Sequence, residues 1–263
     1  MPVVPSFLPS LPPTLPGVVT CIGLTITADP AWLEACRPFV IGEELAQARR
    51  YARLADSVKH LAGRALARQA LRATFGQDAA APFALTPYGK PYCPRCGAHF
   101  SISHSGEQVW LAVCREGPVG VDVEAMRPLP ELAELAARLH PREQAHILSE
   151  AADARAEAFY RCWTRKEAVL KALGRGLSLP LDSFAVDAGS GHAGWIVSLP
   201  AVPPAAVPLP PEQKATRAAL STPAQWTSCD LNAGAAYHCS VAAAAPGLAI
   251  RVLRIPAPPS GTA

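Results

Sequence analysis

The sequence is short of aromatic rings and of charge. Phe, Trp and Tyr make up 6% of its 263 residues, and Asp, Glu, Lys and Arg make up 17%. The first shortage weighs against a nucleic-acid-binding module, because bases stack on aromatic side chains. The net charge of +3 is too small to imply a polyanionic partner by itself. No apolar run is long enough to cross a membrane. The opening MPVVPSFLPSLPPTLPG is broken by prolines and has no basic n-region, so it does not read as a signal peptide and the expected location is the cytoplasm. One CxxC occurs, Cys93-Pro-Arg-Cys96, and no second follows it. A structural zinc site needs four ligands, which only His99 and His104 could complete; a surface loop with two thiols is the expected reading. GxSxG is absent too, and no Asp stands out to orient His104, so a serine hydrolase is not expected.

Half of the residues are hydrophobic, enough for one large domain or two small ones with a real core. Residues 17–27 (GVVTCIGLTIT) are β-branched and apolar and predict a first strand. From about Pro38 to Gly76 the period turns helical, with Val58, Leu61 and Ala65 on one face. The opposite face carries Arg49, Arg50, Arg53, Lys59, Arg64, Arg68 and Arg72. Phe100–Val113 predicts two strands around a Ser-Gly turn. Helices are expected over Pro130–Leu148 and Ala151–Leu173, the second ended by Gly174. Ser183–Val186 and Ala235–Val241 predict further strands. The expected organisation is a Pro-rich segment 1–16, an N-terminal subdomain 17–118, a C-terminal subdomain 119–250 with a Pro/Ala-rich loop at about 198–223, and a tail 251–263.

Chemistry concentrates in four places. In Gly120-Val-Asp-Val-Glu124 the two acids share one face of a strand, since alternate residues point the same way. Like charges so placed repel unless something positive lies between them, and a hard divalent cation with oxygen ligands is the natural candidate. In Phe159–Gly176, Trp163, Glu167 and Lys171 follow at intervals of four and share a helix face bordering an apolar seam. There Glu167 could be a third metal ligand or a base, and Lys171 a cation for an oxyanion. Ser101-Ile-Ser-His-Ser105 offers alternating hydroxyls and a His as short donors to phosphate oxygens. Gly89-Lys90-Pro91 holds a lysine at the tip of a tight turn.

These four motifs, in this order, resemble the 4'-phosphopantetheinyl transferases of the surfactin-synthetase-activating type, which carry a GKP turn, an F-N-x-S-H-S segment, a G-x-D-x-E strand and a W-x-x-K-E-A-x-x-K-x-x-G helix. The resemblance runs from about Ala48 to Val186. It implies an α+β fold, a pseudo-twofold arrangement of two similar α/β subdomains with the active site in the cleft between them. It also implies that the 4'-phosphopantetheine arm of coenzyme A passes, with Mg²⁺, to a serine of an apo acyl carrier protein or of a carrier domain of a polyketide or nonribosomal peptide synthetase, with release of 3',5'-ADP. Asp122, Glu124 and Glu167 match the metal-binding acids. Lys90, Ser103, His104 and Lys171 match positions that hold the coenzyme, and Arg50 is a further contact for its nucleotide end. Glu167 is the expected base, and Lys171, with Lys166 as second candidate, the acid. No nucleic acid, no membrane and a monomer are expected. Two departures stand out: Ser101 replaces the usual Asn, and Glu44 and Gln47 fill positions that are commonly basic. The alternatives are a relative that binds coenzyme A or a carrier domain without transfer, and a zinc-stapled nucleic-acid-binding module.

Overall fold

In chain order the computed structural model, which describes residues 9–76, 81–201 and 222–257, begins with strand β1 (Val18–Thr25), then α1 (Ala31–Cys36), α2 (Gly42–Ala48) and the long α3 (Leu54–Phe75). A small hairpin, β2 (Ala84–Leu85) and β3 (Pro91–Tyr92), leads into β4 (His99–Ser105), β5 (Gln108–Cys114) and β6 (Val119–Ala125). Then come α4 (Leu132–Ala136), α5 (Pro141–Ser149), the long α6 (Arg155–Leu173), and strands β7 (Thr227–Asp230), β8 (Tyr237–Ala243) and β9 (Ala249–Ile255). Helices and sheets are mixed, as an α+β chain requires.

The strands form a four-stranded sheet in the order β4-β5-β1-β9 and a three-stranded sheet in the order β6-β8-β7. β1 runs antiparallel to β5 and parallel to β9. Helix α3 packs on the first sheet, with Val58, Leu61, Ala65 and Leu66 buried against Leu24, Phe100 and Leu111. Helix α6 packs near the second, where Ala168, Val169 and Ala172 share a cluster with Trp195 and Ala242. Between the sheets lies a third cluster that includes Cys21, Trp110, Val121, Val123 and Val241.

Several expected elements differ, each for a local reason. The block Pro38–Gly76 is not one helix. It breaks after α2, where Arg49, Arg50 and Arg53 would stack like charges three and four apart. Arg68 does not belong to a solvated face either. It is 1% exposed and grips Glu44 through two nitrogens, at 2.8 and 3.0 Å. Glu44 is thereby a buried partner of α3. The helix expected over Pro130–Leu148 is divided because Pro141 holds His140 extended at φ −59°, ψ 142°, and restarts the helix with Glu143 accepting from the His140 N–H. Ser183–Val186 is not a strand: a 3₁₀ turn covers Leu181–Ser183, and Val186 makes a single bridge to Ile196. Residues 251–255, expected in the tail, belong to β9, because Arg251–Ile255 pairs with β1. Most of the Pro/Ala-rich stretch expected at 198–223 lies outside the described residues.

One glycine sets how the second sheet meets its helix. A Cβ on Gly120 would stand 2.0 Å from the Ala168 carbonyl oxygen and 2.5 Å from the Ala172 nitrogen. The α6 backbone therefore lies directly on β6, and Gly120 is what lets the acid-bearing strand and the Glu167-bearing helix come that close. Gly174 ends α6 in the left-handed region at φ 68°, and the Arg175 N–H closes back on the Leu170 carbonyl.

Candidate active site

Alternation along β6 sends Val121 and Val123 into the core between the sheets and Asp122 and Glu124 to the other side. Helix α6 brings Trp163, Glu167 and Lys171 to the same place, and β4 brings Ser103 and His104. Together they line an open pocket of about 240 Å³. Six of the seven residues expected to act on metal and coenzyme outside the nucleotide end are thus brought together by three elements distant in sequence.

Asp122 is 3% exposed. Its Oδ1 accepts from Lys171 Nζ at 2.6 Å and from Ser103 Oγ at 2.9 Å. Lys171 Nζ also donates to Ser103 Oγ, at 2.8 Å. Asp122 Oδ2 and Glu167 Oε1 are buried and have no hydrogen-bond partner among the described residues. Burial, and then the charge of Asp122, push Glu167 up to about 7. The same two causes raise Glu124, against a stabilising bond from Ser105 Oγ at 2.8 Å. Three partly desolvated carboxylates, two of them raised by burial and by the charge of the third, call for a cation. The donors are all oxygens and two are unpartnered, so the set fits a hard divalent cation in its chemistry. As the side chains stand, Lys171 neutralises Asp122, and among the described residues no three His, Cys, Asp or Glu side chains are grouped to hold a metal.

A second pocket, of about 280 Å³, adjoins the first and shares Ile102, His104 and Lys171 with it. Lys59, His60 and Arg64 of α3 form one wall, and the Gly89-Lys90-Pro91 turn forms another. Burial, followed by the charge of Arg64, pushes His60 down to about 4. Burial also lowers Arg64 and His104. Basic groups whose charged forms burial disfavours gain from an anion placed among them. Lys59 and Arg64 were legible only as part of a basic helical face, and His60 was not singled out; their approach to His104 depends on how α3 packs on β4.

Lys90 stands in this wall but points away from a free anion role. Its Nζ donates to the carbonyls of Val119, Lys171 and Ala172, at 2.9, 2.6 and 3.2 Å. Burial, and then the nearby Lys171, push it down to about 7, while one acceptor at the start of β6 and two at the end of α6 hold its proton. The turn lysine is thus a strut between the hairpin, β6 and α6. Arg50 lines neither pocket; its Nη1 lies 3.5 Å from Gln47 Oε1 on an exposed surface. Lys166 is not placed to act as an acid. It is fully buried, donating to Glu143 Oε1 at 2.6 Å and the Phe184 carbonyl at 2.7 Å. Cys93 and Cys96, expected as two thiols of a surface loop, are joined as a disulfide.

Residues 118–242 match the 4'-phosphopantetheinyl transferase superfamily, a segment that contains Asp122, Glu124, Glu167 and Lys171. A 4'-phosphopantetheinyl transferase of Bacillus subtilis is 38% identical over 150 residues, 56% of this chain and 66% of the relative. One of Bacillus pumilus is 33% identical over 154 residues, 58% of this chain and 65% of the relative. One of Escherichia coli K12 is 40% identical over 88 residues, 33% of this chain and 45% of the relative. The chain thus spans just under two thirds of the Bacillus relatives. The segment that carries the acids of β6 and α6, residues 118–242, is thus similar to the 4'-phosphopantetheinyl transferase superfamily.

Proposed function

We propose that the protein transfers the 4'-phosphopantetheine arm of coenzyme A to a serine of an apo carrier protein or carrier domain, with Mg²⁺, releasing 3',5'-ADP. The observation that carries this reading is the adjacency of an acidic pocket, with Asp122, Glu124 and Glu167, and a basic one, with Lys59, His60, Arg64 and His104, joined at Lys171. A pyrophosphate laid across that junction would meet cations on one side and carboxylates on the other. The activity by which these relatives are named supports the same reading. In this reading the two sheets with their long helices are two similar subdomains about a pseudo-twofold axis, with the reaction in the cleft between them.

Asp122, Glu124 and Glu167 would hold the Mg²⁺, which when bound supplies positive charge to the pyrophosphate oxygens. The carrier's serine oxygen bonds to the β-phosphorus of coenzyme A, and the bond from that phosphorus to the bridging oxygen breaks. Glu167, whose affinity for a proton is raised, takes the proton from the serine hydroxyl. Lys171 sits where it can balance the charge that builds on the departing 3',5'-ADP. Lys59 and Arg64 hold the nucleotide end. The fatty-acid, polyketide and nonribosomal-peptide carriers share the serine this chemistry needs.

The test is a mass spectrum of a panel of apo carrier proteins after incubation with the protein, coenzyme A and Mg²⁺, with a chelator control. A chelator-sensitive gain of one phosphopantetheine arm is expected. No gain on any carrier, with coenzyme A still bound, would replace this reading by one of binding without transfer.

A further inference from the structure

β4 and β6 are edge strands of different sheets, and they share no backbone ladder. Their edges are joined by side chains instead. Ser101 Oγ accepts from the Val121 N–H at 3.2 Å, Ser103 Oγ from the Val123 N–H at 3.3 Å, and Ser105 Oγ from the Ala125 N–H at 3.1 Å. Each rung advances two residues on both strands, so three hydroxyls fix the register of β6 against β4 and cover N–H groups that an open edge would leave unpaired. The same alternation sends Phe100 and Ile102 to the α3 side.

A hydroxyl that accepts an N–H still has its own hydrogen to give. Ser103 gives it to Asp122 Oδ1, at 2.9 Å, and Ser105 gives it to Glu124 Oε2, at 2.8 Å. The position that would face Ser101 in the same pattern is Gly120, which has no side chain. Each acid of β6 is therefore aimed by the serine that also holds the following backbone N–H. Ser103 is shared with Lys171, but Ser105 serves Glu124 alone among the described side chains.

We infer that Ser105 is a positioning residue, which holds the Glu124 carboxylate for a divalent cation while touching neither coenzyme nor carrier. This rests on the reading above that Glu124 is a metal-binding acid. A partner of a ligand's carboxylate limits the orientations it must give up on binding, and losing such a partner typically costs about 10- to 100-fold in metal affinity.

The experiment titrates Mn²⁺ into the metal-free protein and follows free Mn²⁺ by electron paramagnetic resonance. Coenzyme A affinity is measured separately in chelator, and the fold by circular dichroism. Ser105→Ala should bind Mn²⁺ about tenfold more weakly, with coenzyme A affinity in chelator held within about twofold. Ser105→Thr, which restores the hydroxyl, should recover Mn²⁺ binding, and in a Glu124→Gln background Ser105→Ala should have no further effect. Unchanged Mn²⁺ affinity in Ser105→Ala would overturn the assignment. So would a parallel fall in coenzyme A affinity, which would make the hydroxyl a fastening of the seam only. A wild-type protein that takes up Mn²⁺ in a Ser105-dependent way but modifies no carrier would sink the transfer reading and leave this one standing. A wild-type protein that takes up no Mn²⁺ would sink this one.

Discussion

The ammonium of Lys171 lies 2.6 Å from Asp122 Oδ1, although the side chain of Lys171 is 29% exposed and that of Asp122 only 4%. A half-open lysine holds the charge of a buried acid and competes with any cation for it. Lys171→Met should therefore bind Mn²⁺ more tightly than the wild type in the absence of coenzyme A, by several-fold, because Asp122 is freed. The same variant should lose transfer by about 10²–10³, as expected when a group balancing transition-state charge is removed. Metal titration and single-turnover transfer on one protein preparation measure both. Weaker Mn²⁺ binding in Lys171→Met would show that the lysine assembles the acids instead of competing for them.

Gly120 makes a separate claim on stability. With the Ala168 oxygen 2.0 Å from where a methyl group would stand, even Ala must push α6 off β6. Overpacking of a close interface commonly costs 1–3 kcal/mol, and backbone cannot rotate aside as a side chain can, so Gly120→Ala should lose about 3 kcal/mol. Urea unfolding measures it. Gly174→Ala, near the same helix but at its end, should also destabilise through the φ of 68° while leaving the seam closed. A Gly120→Ala protein as stable as the wild type would mean that α6 and β6 are not in backbone contact.

Much of the site was legible because its chemistry is written at short range. A strand period of two places Asp122 beside Glu124, and a helix period near four places Glu167 above Lys171; both follow from backbone geometry alone. What could not be read is which partner each polar group meets across the chain. The run Ser101, Ser103, Ser105 looked like a set of phosphate donors, but its three oxygens accept from the β6 backbone, and the hydrogens of Ser103 and Ser105 go to the β6 acids. Lys90 looked like a free turn cation, but three carbonyls at the start of β6 and the end of α6 take its protons. Arg50 and Arg68 carry the same charge in the same basic run, and only the position of Glu44 decides that Arg68 turns inward. In the fold, helix existence was clear from apolar spacing, whereas the breaks at Arg49–Arg53 and at His140 depended on local charge and on one proline.

Lys166 tests the difference between a buried charge and a catalytic one. Both it and Glu143 are completely buried, and Glu143 Oε1 also accepts from the Val186 N–H at 2.7 Å. Removing one partner of such a pair typically costs about 3–5 kcal/mol, because the other is left uncompensated. Lys166→Met should therefore unfold at markedly lower urea, and Lys166→Met with Glu143→Gln should recover part of the loss. At temperatures where the double variant is folded, its transfer rate should match the wild type within a few-fold. A folded double variant with transfer reduced by orders of magnitude would return Lys166 to the reaction.

The last expectation concerns acidity and is read without metal. Glu167 has an ordinary value of 4.5 and is pushed up to about 7 in the folded chain, first by burial and then by Asp122. Below about pH 4.5 the carboxyl is protonated in both folded and unfolded chains and costs nothing. Between about 4.5 and 7 the unfolded chain releases its proton while the folded chain keeps it, so stability falls as pH rises, and above 7 the loss is complete. Glu124 is raised for the same reasons and adds in the same direction. Glu167→Gln cannot ionise, so in chelator its melting temperature should equal that of the wild type near pH 4.5 and exceed it at pH 8. A gain on the order of 2 kcal/mol would appear as roughly 5 °C. Mg²⁺ at pH 8 should raise the melting temperature of the wild type, since it binds the folded acids, and raise that of Glu167→Gln much less. Equal melting curves for the two proteins across the whole range would mean that Glu167 is hydrated and not desolvated beside Asp122, and the proton-accepting role given to it would lose its physical basis.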